Sequence, residues 1–120
     1  ALFGITEHQR IGVDIELRDR RLNVEGVARK FMTAREQSAL AAEEPDTRRR
    51  MLLRLWTCKE AMSKATGDAL SAPFRRIDVD TGPPMSVVAG PPPYGPADWR
   101  LLEAAAPAEY LATVALWRDA

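Results

Sequence analysis

A single long amphipathic helix in a short chain sets the frame for everything else in this sequence. Asp46 or Thr47 can cap it and Gly67 can stop it, and between them Met51, Leu52, Leu55, Trp56, Cys58 and Met62 recur mostly on one side. In 120 residues, a size at which folding hides roughly two thirds of the unfolded surface, that helix has to be the core on which the rest packs. One domain is therefore expected over residues 1–120.

The flanking segments fit around it. The spacing of Val24, Val27, Ala28 and Phe31 suits a helix, and Thr33-Ala-Arg-Glu36 reads as a capping box opening a second helix to about Ala42, which Pro45-Asp46-Thr47 then breaks. Leu2–Thr6 and Ile11–Leu17 read as strands joined by a hairpin loop, with His8 as a solvated turn residue. After the long helix, Ile77–Asp80, Met85–Ala89, Trp99–Ala104 and Tyr110–Trp117 look like strands separated by loops rich in Gly and Pro. Gly90–Pro96 is expected as a rigid loop without a function of its own. The expected class is α+β, a small antiparallel sheet packed on a long core helix plus shorter helices.

Composition removes several functions. Seventeen basic residues balance seventeen acidic ones, so no overall positive field draws the chain to nucleic acid or to an anionic membrane. No apolar run approaches the roughly 20 residues that cross a bilayer. The one cysteine, Cys58, allows no internal disulfide, which fits a reducing compartment, the cytoplasm by default. It lies in the apolar arc and is expected to act as a small hydrophobe. The chain opens on Ala1 and on strand-like residues without a preceding turn; a missing N-terminal portion is expected.

Two constellations carry chemistry. In Gly12-Val-Asp14-Ile-Glu16 the carboxylates lie at i and i+2 and project to one face of a strand. They form either a solvated strand face or, with Val13 and Ile15 turned toward a core, a rigidly held half of a metal site. In Trp56-Thr-Cys-Lys59-Glu60-Ala-Met-Ser-Lys64, the residues Trp56, Glu60 and Lys64 follow one another at i, i+4. Glu60 and Lys64 are either a surface ion pair or part of a site. Lys59 falls in the apolar arc with Leu52, Leu55 and Met62, so it must snorkel past the core or meet a buried anion. Combined, Asp14, Glu16 and Glu60 make an all-oxygen set that suits magnesium or manganese, with Lys64 and Lys59 beside it for a phosphate, which points to phosphoryl chemistry.

Gly12-Val-Asp14-Ile-Glu16 followed by Trp56-x-x-Lys59-Glu60-Ala-x-x-Lys64 resembles the signature of the 4'-phosphopantetheinyl transferases. Phe31-Met-Thr-Ala-Arg-Glu36 resembles the family segment ending in a glutamate, and Gly67-Asp-Ala-Leu70-Ser-Ala-Pro73-Phe74 resembles its Gly-x-Gly-Leu-x-x-Pro-Leu stretch, with Ala69 in place of a glycine. The resemblance implies transfer of the 4'-phosphopantetheine arm from coenzyme A to a serine of an apo acyl or peptidyl carrier protein. It implies magnesium on the coenzyme A pyrophosphate held by Asp14, Glu16 and Glu60, a coenzyme A phosphate contact at Lys64, and a second electrostatic contact at Lys59. Glu36 matches the proposed general base, directly or through water; its competing role is the capping box. The short branch of the family, the trimeric holo-acyl-carrier-protein synthases, matches the length. The third carboxylate Glu16, Trp56 and the Leu70–Phe74 stretch match the long, Sfp-type branch of two similar halves. The chain thus reads as the C-terminal half of an Sfp-type enzyme that needs an absent N-terminal half or a second copy, with a carrier- or cation-binding module as the alternative. Arg18, Arg20 and Arg21 with Arg48-Arg49-Arg50 form either solvated faces or a meeting surface for an acidic carrier.

Overall fold

The computed structural model describes residues 9–118. The expected hairpin strand Leu2–Thr6 and His8 lie outside them. Three helices and five strands follow in the order β1 (Gln9–Leu17), α1 (Val24–Phe31), α2 (Ala34–Ala41), α3 (Pro45–Thr66), β2 (Asp78–Asp80), β3 (Ser86–Ala89), β4 (Trp99–Ala104) and β5 (Tyr110–Arg118). The class is the α+β arrangement expected. The strands, however, form two sheets rather than one: β1, β5 and β4 pair antiparallel in that order, and β2 with β3 make a separate ribbon.

Local chemistry explains most boundaries. Asn23 caps α1 by accepting from the Gly26 amide. Thr33 and Glu36 complete the capping box of α2 from both sides. α3 begins one residue before the expected cap: Pro45 takes its first turn, where its missing N–H costs nothing, and Glu44 precedes it without a side-chain cap. It ends at Gly67 in the left-handed region at φ 85°. Arg48, read from sequence as part of a solvated run, donates to the carbonyls of Leu40 and Glu43 at 2.9 Å and so closes the C-terminal end of α2.

The core lies along α3. Leu52, Leu55, Cys58, Ala61 and Met62 are at most 2% exposed and meet Met32, Leu40, Phe74, Ile77, Val79 and Ala115. The orientation of β1 reverses the expectation. Val13 and Ile15, expected to face the core, are 44% and 56% exposed, while Asp14 between them is 4% exposed. The cause is Gly12, whose backbone is pressed so closely on α3 that a Cβ would stand 1.8 Å from the carbonyl oxygen of Ala61. The glycine face, which also carries the carboxylates, is therefore the only one that can dock on the helix.

Candidate active site

Because Gly12 sets β1 flat against α3, Asp14 is brought to the helix face that carries Glu60 and Lys64. Lys64 Nζ lies 2.8 Å from Asp14 Oδ1, so the lysine pairs across to the strand rather than along its helix to Glu60. The other Asp14 oxygen, Oδ2, is buried without a hydrogen-bond partner, an arrangement that costs a carboxylate free energy unless a cation or donor completes it. Burial raises the Asp14 carboxyl above its ordinary range, against the bond from Lys64, and Glu16 adds to the rise. Glu60, half-buried, is raised by burial and then by Asp14. Lys64 is held charged more strongly by its bond to Asp14. Glu16 stands at the margin, paired to Arg20 at 2.6 Å.

Among the described residues, no three such side chains converge into a ready-made metal cluster. The residues nonetheless fit a hard cation in two respects. The donors are all carboxylate oxygens, and one of them is a buried orphan on Asp14, whose charge helps raise the neighbouring Glu60 carboxyl above its ordinary range.

Lys59 resolves toward the buried partner. Its side chain is 0% exposed, and Nζ reaches Glu36 Oε1 at 2.5 Å, the Phe31 carbonyl at 3.0 Å and the Phe74 carbonyl at 2.9 Å. Glu36 is as enclosed, at 1% exposure. Its Oε1 also accepts from the Thr33 amide at 2.8 Å and its Oε2 from the Val79 amide at 2.7 Å. One ion pair therefore ties the end of α1, the start of α2, α3 and β2 to the residue preceding Glu60. Burial lowers the Lys59 pKa, and Glu36 opposes that shift. Trp56, next to the clamp, packs edge-on to Phe31 and stacks on Phe74 at ring separations of 4.9 and 5.9 Å. Cys58 behaves as the expected buried hydrophobe, its thiol pushed up to about 12 by burial.

Sequence reasoning missed two supports. Arg35 donates to Asp78 at 2.7 Å while Thr33 donates to the same carboxylate at 2.9 Å, fastening α2 to β2. Tyr94 donates to Asp68 at 2.6 Å and stacks on Trp99, holding the Pro-rich loop to the end of α3. The partners stand 43 and 26 residues apart, beyond any local pattern; only the aromatic inside a loop hinted at a buried anchor.

The fold and this strand-to-helix juncture define a class. The architecture matches that of a holo-(acyl-carrier-protein) synthase from Bacillus anthracis, crystallised in complex with CoA (3',5'-ADP), with a TM-score of 0.66 and 17% identity over 92% of this chain and 96% of that one. It also matches the holo-[acyl-carrier-protein] synthase of Thermotoga maritima, with a TM-score of 0.65 and 15% identity over 92% of this chain and 64% of that one. Residues 10–115 match the family profile of the 4'-phosphopantetheinyl transferase superfamily, and the chain belongs to that superfamily. Among curated proteins it is 31% identical over 105 residues to the 4'-phosphopantetheinyl transferase HetI of Nostoc sp.. That alignment covers 86% of this chain and 41% of HetI, so the chain spans less than half the length of this relative.

Proposed function

We propose that the chain contributes the catalytic face of a phosphopantetheinyl transferase that moves the 4'-phosphopantetheine arm of coenzyme A to a serine of an apo acyl or peptidyl carrier protein. The observation that carries this reading is the buried Asp14 carboxylate, with one oxygen on Lys64 and the other orphaned, next to Glu60. In the reaction the serine oxygen bonds to the pantetheine-bearing phosphorus. The pyrophosphate P–O bond breaks, 3',5'-ADP leaves with that electron pair, and the serine proton is released. Asp14, Glu60 and, from the margin, Glu16 would hold magnesium or manganese, which supplies neutralisation of charge on the pyrophosphate oxygens. Lys64 turns from Asp14 to a phosphate oxygen, a movement its 51% exposed side chain allows. Lys59 and Glu36 bond each other and act as positioning residues; for Glu36 to receive the serine proton, one of its present bonds has to open.

A mass-spectrometric assay tests this directly: with coenzyme A, magnesium and an apo carrier protein, the carrier gains the phosphopantetheine mass, and Asp14→Asn or Lys64→Ala abolishes the gain. A second reading, that the chain acts only beside an N-terminal half or a second copy, as in an Sfp-type enzyme, is favoured by the bare apolar face of β1, where Ile11, Val13, Ile15 and Leu17 are 43–56% exposed. Under it, transfer appears only once that half is restored.

A further inference from the structure

At the juncture of β1 and α3 the carboxylates are held by the backbone, and the cations that pair with them are not. Asp14 and Glu16 ride on β1, which Gly12 fixes against the helix, and their side chains are 5% and 19% exposed. Their partners arrive from the solvent side on long, flexible stems: Lys64 is 51% exposed and Arg20 44%. Lys64 can leave by rotating its own torsions, whereas Asp14 cannot follow it without moving the strand.

The contact at Asp14 is a contest for one carboxylate. Burial opposes its ionisation, so a neighbouring cation relieves a real cost, and Lys64 Nζ supplies that cation 2.8 Å from Oδ1. A divalent ion on the same carboxylate would meet the ammonium group at a few ångströms in a partly desolvated site, where like charges repel strongly. The two cannot share Asp14. The Glu16–Arg20 pair lies at the exposed margin, where an ion pair is weak and yields readily.

Resting on the proposed transfer reaction, we infer that Lys64 competes with the divalent cation for Asp14 and is drawn off it by the diphosphate of coenzyme A, so that cation and coenzyme A each tighten the other's binding through this one side chain. The diphosphate offers the ammonium group a replacement anion, and Lys64 leaves Asp14 without becoming unpaired. Asp14 is thereby freed for the cation when the substrate diphosphate is beside it, and linkage makes the effect reciprocal.

The test is manganese binding, read from the electron paramagnetic resonance of free manganese(II), with the chain, or with its partner half restored where coenzyme A binding requires it. Lys64→Met keeps the stem of an exposed side chain and should melt near the parent. Without coenzyme A it should bind manganese about tenfold more tightly than the parent, the factor expected if the lysine holds Asp14 roughly nine-tenths of the time. At saturating coenzyme A, where the phosphate holds the lysine of the parent, the advantage should fall below about twofold. A second measurement needs no variant: the Lys64 Nζ resonance of the parent should shift on adding coenzyme A, as its acceptor changes from carboxylate to phosphate. An equal gain with and without coenzyme A means that the lysine merely repels the ion and overturns the displacement. No gain in either condition, or an unmoved resonance, overturns it too. Each of these results leaves the transfer reading standing when the carrier still gains the phosphopantetheine mass. No manganese bound with coenzyme A present, together with no transfer, overturns both.

Discussion

Ala69 stands at φ 50°, the one non-glycine residue with positive φ among those described. The left-handed conformation costs an L-residue roughly 1–2 kcal/mol, part of which a glycine gives back through its freer unfolded chain. Ala69→Gly should therefore stabilise the protein by about 0.5–1 kcal/mol, read as a rise of a few degrees in melting temperature; an unchanged or lower value would show that the turn bears no strain. The clamp gives the opposite sign. Glu36→Gln leaves the Lys59 charge buried and unpaired, at a cost on the order of 3–5 kcal/mol. Lys59→Met should cost a similar amount, and the double change much less than the sum, as a denaturation cycle will show. Additive losses would mean the two residues act apart. The same Glu36→Gln protein, assayed for the proposed transfer well below its melting point, separates the two roles of Glu36: loss of a positioning residue leaves kcat in proportion to folded protein, whereas loss of a general base lowers kcat by a further factor of roughly 10²–10⁴.

At the level of elements, the contact of β1 with α3 decides where the site lies. Gly12 has a Cβ-sized space of essentially zero, bounded by backbone atoms of Ala61 and Ala65, which cannot rotate away as a side chain would. Gly12→Ala must push the strand off the helix, with a loss of about 3 kcal/mol, the upper part of the range for overpacking. Because Asp14 rides on the same strand, the substitution should also cut the proposed transfer by more than the loss of folded protein explains. Calorimetry and transfer assays on one sample check both; a neutral substitution would mean that the strand and helix have slack between them.

At the scale of the molecule, the sheet presents its aliphatic side outward. Val13 pairs across Val114 to Leu102, and Leu17 pairs with Tyr110, so the exposed residues of β1 are continued by Leu102 at 40% and Tyr110 at 37% exposure. A contiguous apolar face of this kind promotes association. Light scattering should show a mass that rises with concentration, and Val13→Lys/Ile15→Lys should return it to that of the monomer without loss of helical signal. A concentration-independent monomer in the parent would mean that the face is self-sufficient in water. Among the described residues no helix is long and apolar enough to cross a membrane.

What the sequence by itself determined is the local part. Thr33 with Glu36, and Gly67, place the start of α2 and the end of α3, since each cap is made within a few residues of chain. The order of the carboxylate and lysine motifs was equally legible, along with the family they indicate. Only the tertiary structure decided which face of β1 is buried, because an alternation of period two defines two faces without saying which one a helix can approach. There a glycine's close fit outweighed the hydrophobicity of Val13 and Ile15. The same holds for Lys59: helical spacing turned it into the core, but its anion, Glu36, comes from another helix 23 residues away. Such long-range neighbours follow from how α1, α2 and β2 close around α3, which is a property of packing rather than of any segment.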